Sequence, residues 1–164
     1  MTDNPVVTAD PELSVVRARA DEEPGASLLA SMSAEIDGLY AELPGSLDSI
    51  PATAEQMSDP DGSFLVISAG AEPVACGGIK RLDAETAEIK RMYVAGGRRG
   101  RGVGRRLLAE LESECRRLGY RRIRLDTGSD QPAARALYES TGYRRIADYN
   151  GNPLAAFWFE KVLA

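Results

Sequence analysis

No histidine occurs anywhere in the 164 residues. That absence removes Ser-His-Asp and Cys-His triads, imidazole-based zinc sites and histidine acid–base chemistry. Proton transfer must then fall to carboxylates, tyrosine, cysteine, lysine, water or the backbone. Cysteine is almost as scarce: Cys76 and Cys115 are the only two, each in an apolar run and without C-x-x-C spacing. A disulfide scaffold and a zinc ribbon are excluded, no metal site is expected, and both thiols read as buried and free. Such usage suits a reducing compartment, so a cytoplasmic location is expected. No apolar run approaches the roughly 18–20 residues that cross a bilayer, so no membrane partner is expected. The opening Met1-Thr2-Asp3-Asn4 lacks the basic segment of a secretory signal. Aromatic residues make up only 6%, but 43% hydrophobic content over this length is ordinary for one globular domain.

Basic side chains are nearly missing from the first half. Residues 1–79 hold two, Arg17 and Arg19, against 14 acidic ones, a net of −12. Residues 80–164 hold 18 basic and 11 acidic, a net of +7, so the overall −5 conceals a division. A basic half in an acidic protein points to an anion-binding surface. Pairing of arginine with carboxylates over solvated faces accounts for the same arithmetic without a ligand.

Residues 1–12 are polar, contain two prolines and read as a flexible tail, leaving 13–164 as a single domain. Leu13–Ala20 reads as a strand. The acids Asp21, Glu22 and Glu23 before Pro24 favour a helix start, and Leu28, Leu29, Met32, Ile36, Leu39, Tyr40 and Leu43 then recur at helical spacing. Residues 44–61 read as loop with a short helix around Ala52–Met57. Phe64–Ser68, Val74–Ile79 and Thr86–Val94 form an antiparallel meander. Val103, Leu107, Leu108, Leu111, Cys115 and Leu118 mark an amphipathic helix, which Gly119 ends. Strand Arg122–Asp126, helix Pro132–Ser140 and strands Tyr143–Ile146 and Ala156–Lys161 complete the order β-α-β-β-β-α-β-α-β-β. This predicts an α/β mixed sheet with helices on its faces and a parallel crossover over 86–127.

The chemistry concentrates in Arg98-Arg99-Gly100-Arg101-Gly102-Val103-Gly104-Arg105-Arg106, between a strand and the strongest helix. Glycines permit close backbone approach, and a first helical turn offers unpaired N–H groups to an anion such as pyrophosphate. A Walker A loop is excluded because no lysine follows the glycines. The dinucleotide fingerprint fails because Gly100, Gly102 and Gly104 have the wrong spacing and follow a meander. Nucleic-acid binding is not expected either, since no stacking aromatics interleave the arginines and the chain is acidic.

Arg99-x-x-Gly102-x-Gly104 matches the R/Q-x-x-G-x-G/A signature of the GNAT superfamily of acetyl-CoA-dependent N-acetyltransferases, and the chain is similar to it more widely. Glu88–Val94 resembles the family's fourth strand. Ala134-Arg135-Ala136-Leu137-Tyr138-Glu139-Ser140-Thr141-Gly142-Tyr143 resembles its later A-x-x-L-Y-x-x-x-G-F/Y element. The likeness covers about residues 62–161. It implies the GNAT fold, a roughly seven-stranded mixed sheet splayed between its fourth and fifth strands, with acetyl-CoA as cosubstrate in the split. Backbone groups of Met92, Tyr93 and Val94 would pair with the pantetheine arm, and amides from Arg99, Gly100, Arg101, Gly102, Val103, Gly104 and Arg105 would hold the pyrophosphate. Gln131 stands where the family often has asparagine and would contact the cofactor.

The resemblance also implies direct acetyl transfer to a primary amine of a small molecule or peptide. Glu88 would act as base, directly or through water, and Tyr138 as acid toward the CoA sulfur. The residues alone leave open a solvent-facing Glu88 paired to Lys80, Lys90 or Arg91, and a Tyr138 that merely packs in the core. A non-catalytic acyl-CoA sensor on the same fold is the competing function. The amine-bearing acceptor would be chosen by the first helix, the 44–61 loop and the Tyr149–Pro153 loop. Their acids Glu35, Asp37, Glu42, Asp48, Glu55, Asp59 and Asp61 suit a cationic molecule. A homodimer is left open.

Overall fold

The computed structural model describes residues 12–164, so the expected tail over 1–12 lies almost wholly outside the described residues. The elements are β1 (Leu13–Arg17), α1 (Gly25–Leu39), β2 (Ser63–Ala69), β3 (Glu72–Arg81), β4 (Thr86–Val94), α2 (Val103–Arg117), β5 (Arg122–Thr127), α3 (Pro132–Ser140), β6 (Arg144–Ile146) and β7 (Phe157–Val162). Their order is the one expected, and β4 and α3 have the expected bounds. Two single 3₁₀ turns, Leu47–Ser49 and Gly96–Arg98, are additional. Among the described residues no helix is long and apolar enough to cross a membrane.

Two local expectations need correction. Helix α1 begins at Gly25, with Pro24 at its N-cap, rather than at the acids before it. Asp21 is engaged elsewhere, accepting both 2.9 Å hydrogen bonds of the Arg19 guanidinium. No helix forms over 52–57. There Thr53 and Gln56 bond each other's backbone N–H with their side chains, closing one turn, and the regular turn of the loop lies at Leu47–Ser49. Ser46 and Ser49 supply its capping box.

The strands form one sheet in the order β1-β2-β3-β4-β5-β7-β6. Neighbours run antiparallel except β4 and β5, which run parallel and pair only at Thr86, Ala87 and Glu88 with Arg122, Ile123 and Arg124. Beyond Glu88 the two strands separate. On the other side of β4 the register slips between Cys76 and Gly78 of β3, where Arg91 adopts a φ of 59°. That is a bulge: Arg91 and Met92 share the space opposite Gly77. A left-handed backbone at a side-chain-bearing residue costs roughly 1–2 kcal/mol, and Arg91 is held in it by its own hydrogen bonds to the 44–61 loop.

Each face of the sheet is covered. Val103, Leu107, Leu108, Leu111 and Cys115 of α2 and Tyr138 of α3 enter one buried cluster with Ile79, Ile89, Ile123, Leu125 and Phe159 of the sheet. Leu28 of α1 joins Met57, Phe64, Val66 and Cys76, while Met32, Ile36 and Tyr40 meet Leu154. Fully burying each such aliphatic side chain contributes about 1.5–3 kcal/mol. Both cysteines are buried and free, and burial pushes each thiol up to about 12, which leaves them unreactive.

Edge strand β1 is tied to α2 by a polar cluster. Glu114 accepts from Arg17 at 2.9 and 2.7 Å, from Arg117 at 2.9 and 3.1 Å, and from Ser63 Oγ at 2.7 Å. The Arg17 hydrogen bond is the first cause holding the Glu114 carboxyl down at about 2, against an ordinary 4.5; partial burial opposes it. A depressed folded-state value contributes stability above about pH 4.5 that is lost as pH falls toward 2. Glu114→Gln is therefore expected to cost on the order of 2 kcal/mol at pH 7. The gap to wild type should shrink below pH 4.5, as read from urea unfolding midpoints across pH.

Candidate active site

The separation of β4 from β5 opens two adjoining cavities. The larger, about 350 Å³, runs between α1, the end of β4, the glycine loop and α3. The smaller, about 90 Å³, lies deeper between β4, the end of β5 and the 148–155 loop. Met32, Ile36, Met92, Gln131, Ala134 and Tyr138 line both. The Tyr138 hydroxyl, buried in this common wall, donates to the Met92 sulfur at 3.8 Å. Burial and then the charge of Asp126 raise the phenol well above its ordinary value, so it stays protonated. A thioether is a weak acceptor, which leaves the donor available to a better sulfur partner.

Of the residues singled out for a cofactor, Met92, Tyr93, Val94, Arg99, Gly100, Gly104 and Gln131 all line the larger cavity. Gly100 and Gly102 take φ of 77° and 82°, a conformation glycine adopts without strain. They turn the chain so that α2 starts at Val103, with Gly102 as its N-cap and no side chain capping it. Val103 itself is buried in the core. Arg105 reaches the Ser140 hydroxyl at 3.2 Å and Arg101 lies beside Gly102 in the same turn. Arg99 bridges the cavity mouth, donating to Glu35 at 2.7 Å and to the Val94 carbonyl at 3.0 Å. Gln131 Oε1 accepts from Tyr40 at 3.1 Å and from the Gly128 N–H at 3.2 Å, so its amide nitrogen faces the cavities without a hydrogen-bond partner.

Glu88 is not solvent-facing but fully buried. Its Oε2 accepts from the Tyr149 hydroxyl at 2.5 Å and from Asn150 Nδ2 at 3.1 Å. Its Oε1 has no hydrogen-bond partner and lies 3.7 Å from Lys80 Nζ. Glu88 lines neither cavity; it sits one layer behind Asp126, to which Asn150 Nδ2 also donates at 2.6 Å. Among the described residues no group of three His, Cys, Asp or Glu side chains is arranged to hold a metal ion.

Comparison with known proteins agrees with this geometry. The acetyltransferase (GNAT) family model matches residues 28–143. The chain belongs to the GNAT family. An IAA acetyltransferase of Azospirillum brasilense is 32% identical over 149 residues, covering 88% of this chain and 96% of its own. A solved Klebsiella pneumoniae protein assigned as an acyl-CoA N-acyltransferase is 30% identical, with a TM-score of 0.72 and coverage of 93% and 98%. A GNAT acetyltransferase of Elizabethkingia anophelis, solved with acetyl-CoA bound, shares the fold at 17% identity, TM-score 0.65 and coverage of 92% and 98%. Membership makes the chain an acetyl-group transferase rather than a passive acyl-CoA sensor, in a family that uses acetyl-CoA.

Sequence reasoning missed Tyr40, Lys90, Arg91, Asp126 and Thr127, all in the wall of the smaller cavity of this GNAT domain. One signal was available. Lys90-Arg91 places two adjacent charges inside a strand, which breaks alternation and marks a bulge. Asp126 and Thr127 end β5, where α/β sheets bind ligands. Tyr40 was read only as a helix-face residue, since its bonds to Gln131 and to the Asp130 N–H cross about ninety residues of chain.

Tyr40 also packs against Gly128, where an added Cβ would collide with its hydroxyl and ring. Gly128→Ala is expected to destabilise the fold by about 1–3 kcal/mol through overpacking. The same change in a Tyr40→Leu background should cost distinctly less. A double-mutant cycle of denaturant midpoints measures the difference.

Proposed function

We propose that this GNAT domain moves an acetyl group from acetyl-CoA to a primary amine by direct transfer, with acetyl-CoA in the larger cavity and the acceptor in the smaller one. The observation that carries this reading is the Tyr138 hydroxyl, which stands in the shared wall and donates to a sulfur atom. The pantetheine arm runs along the backbone of Met92, Tyr93 and Val94, freed from β5 by the splay. The pyrophosphate meets the first-turn amides of α2 and the loop from Arg99 to Arg105, where unpaired N–H groups and the helix dipole favour an anion. Gln131 offers its free amide nitrogen to the cofactor. Two reduced, buried thiols suit a cytoplasmic location.

In the reaction the neutral amine nitrogen attacks the thioester carbonyl carbon, forming the C–N bond. The tetrahedral intermediate collapses, the C–S bond breaks, and the thiolate takes a proton from Tyr138. Glu88 lines neither cavity, so the proton lost by the amine reaches it through a chain of water; its Oε1 accepts no hydrogen bond and lies 3.7 Å from Lys80 Nζ. The net change moves one proton from nitrogen to sulfur, and the phenol is restored from the same pool.

Tyr138→Phe tests the assignment. Thiol release from acetyl-CoA with an amine panel should show kcat lowered about 10²-fold or more, with the KM for acetyl-CoA nearly unchanged. Glu88→Gln should lower kcat by a comparable or smaller factor. Wild-type kcat in Tyr138→Phe would remove the tyrosine from the mechanism.

A further inference from the structure

The smaller cavity carries more polar capacity than its internal bonds consume. Lys90 Nζ, buried, makes one hydrogen bond, to Asp126 Oδ2 at 3.4 Å. The Arg91 guanidinium, 7% exposed, donates to the Leu47 carbonyl at 2.8 Å and the Ile50 carbonyl at 3.4 Å. Its companion Asp48, 3.6 Å away, is 94% exposed. Thr127 Oγ1 is buried with no partner at all. A buried hydroxyl without a bond is costly, and this one lies in the wall of a cavity. Lys90, Arg91 and Thr127 all line this one small cavity, and donors of this kind are what an anionic group requires.

The surrounding charges are balanced. Lys80 with Glu88, Lys90 with Asp126 and Arg91 with Asp48 form three ion pairs at 3.7, 3.4 and 3.6 Å. A guest with net charge would leave one buried charge uncompensated, whereas a guest carrying both signs would not. Five of the seven acids on the acceptor side are similarly engaged by arginines: Glu35 by Arg99, Asp48 by Arg91, Glu55 by Arg19, Asp59 by Arg117 and Asp61 by Arg81. The acidic face that suggested a cationic acceptor is therefore partly offset within the fold.

We propose that the acceptor is a zwitterionic amino acid, its carboxylate held by Lys90, Arg91 and Thr127 and its ammonium directed at Asp126. This inference rests on the transferase reading and specifies its acceptor. The amine lies next to Met92, the residue after Arg91 on β4 and one of the six that border both cavities, so it faces the thioester once deprotonated. Met32, Ile36 and Leu154 line the space together with the uncharged polar residues Tyr40, Gln131 and Asn152, which favours an uncharged side chain on the amino acid.

The test measures thiol release by the intact chain at saturating acetyl-CoA. The acceptors are the common amino acids, their carboxamides, the matching decarboxylated amines and spermidine. The expected result is a kcat/KM at least tenfold higher for a free amino acid than for its carboxamide or its decarboxylated amine. Thr127→Val should raise the KM for that amino acid at least threefold while leaving the KM for acetyl-CoA unchanged. Equal or better turnover of the carboxamide, the plain amine or spermidine would overturn the carboxylate site and leave the transferase reading intact. No turnover of any amine, with acetyl-CoA still bound in calorimetry, would overturn the transferase reading on which it rests.

Discussion

Between Lys90 and Tyr93, β4 places two residues opposite one residue of β3, and Arg91 absorbs the mismatch with a left-handed backbone. Beyond Glu88 the strand has no partner on the β5 side, so from Ile89 to Val94 it pairs with β3 alone. Unpaired buried N–H and C=O groups are unfavourable, and an extended ligand arm satisfies them in the way a further strand would. The guanidinium of Arg91, bonded to two carbonyls of the loop around the Leu47–Ser49 turn, offsets the backbone cost and ties that loop to the floor of the site. Cavity, loop placement and backbone availability all follow from this one irregularity.

Charge is distributed to the same end. The acidic N-terminal half and the basic C-terminal half meet as ion pairs, among them Glu35 with Arg99, Glu72 with Arg98 and Asp61 with Arg81. Exposed pairs contribute little stability, about 0–1 kcal/mol each. Their effect here is to consume charge that would otherwise attract counter-ions to the acceptor side. Asn150 extends the arrangement inward. Its amide donates to Glu88 and Asp126, and its oxygen accepts from Trp158 Nε1 at 2.9 Å and the Asn152 N–H at 3.0 Å. Every bonding site on that side chain is in use, which fixes two buried carboxylates in relation to each other and to the 148–155 loop.

Much of the fold was legible in the chain. Apolar periodicity located α2, short apolar runs joined by turn residues located the meander, and Gly70, Gly119 and Gly142 marked turns where φ is positive. Of the loop that carries the signature Arg99-x-x-Gly102-x-Gly104, Arg99, Gly100 and Gly104 line the larger cavity. The 44–61 region was not legible, because its short turns are closed by particular side-chain bonds from Ser46, Ser49, Thr53 and Gln56 rather than by any periodic pattern.

By itself, then, the sequence determined the order of elements, the family signature around Arg99, Gly102 and Gly104, and the exclusion of histidine chemistry. These depend on local backbone preference and on residue type, which neighbouring positions carry. Only the tertiary structure decided that Glu88 is buried behind Asp126, that the acidic face is spent on arginines, and that Lys90, Arg91 and Thr127 surround one small cavity. Those facts depend on contacts between residues 30 to 90 positions apart, whose geometry is set by where β4 parts from β5 rather than by any pattern along the chain.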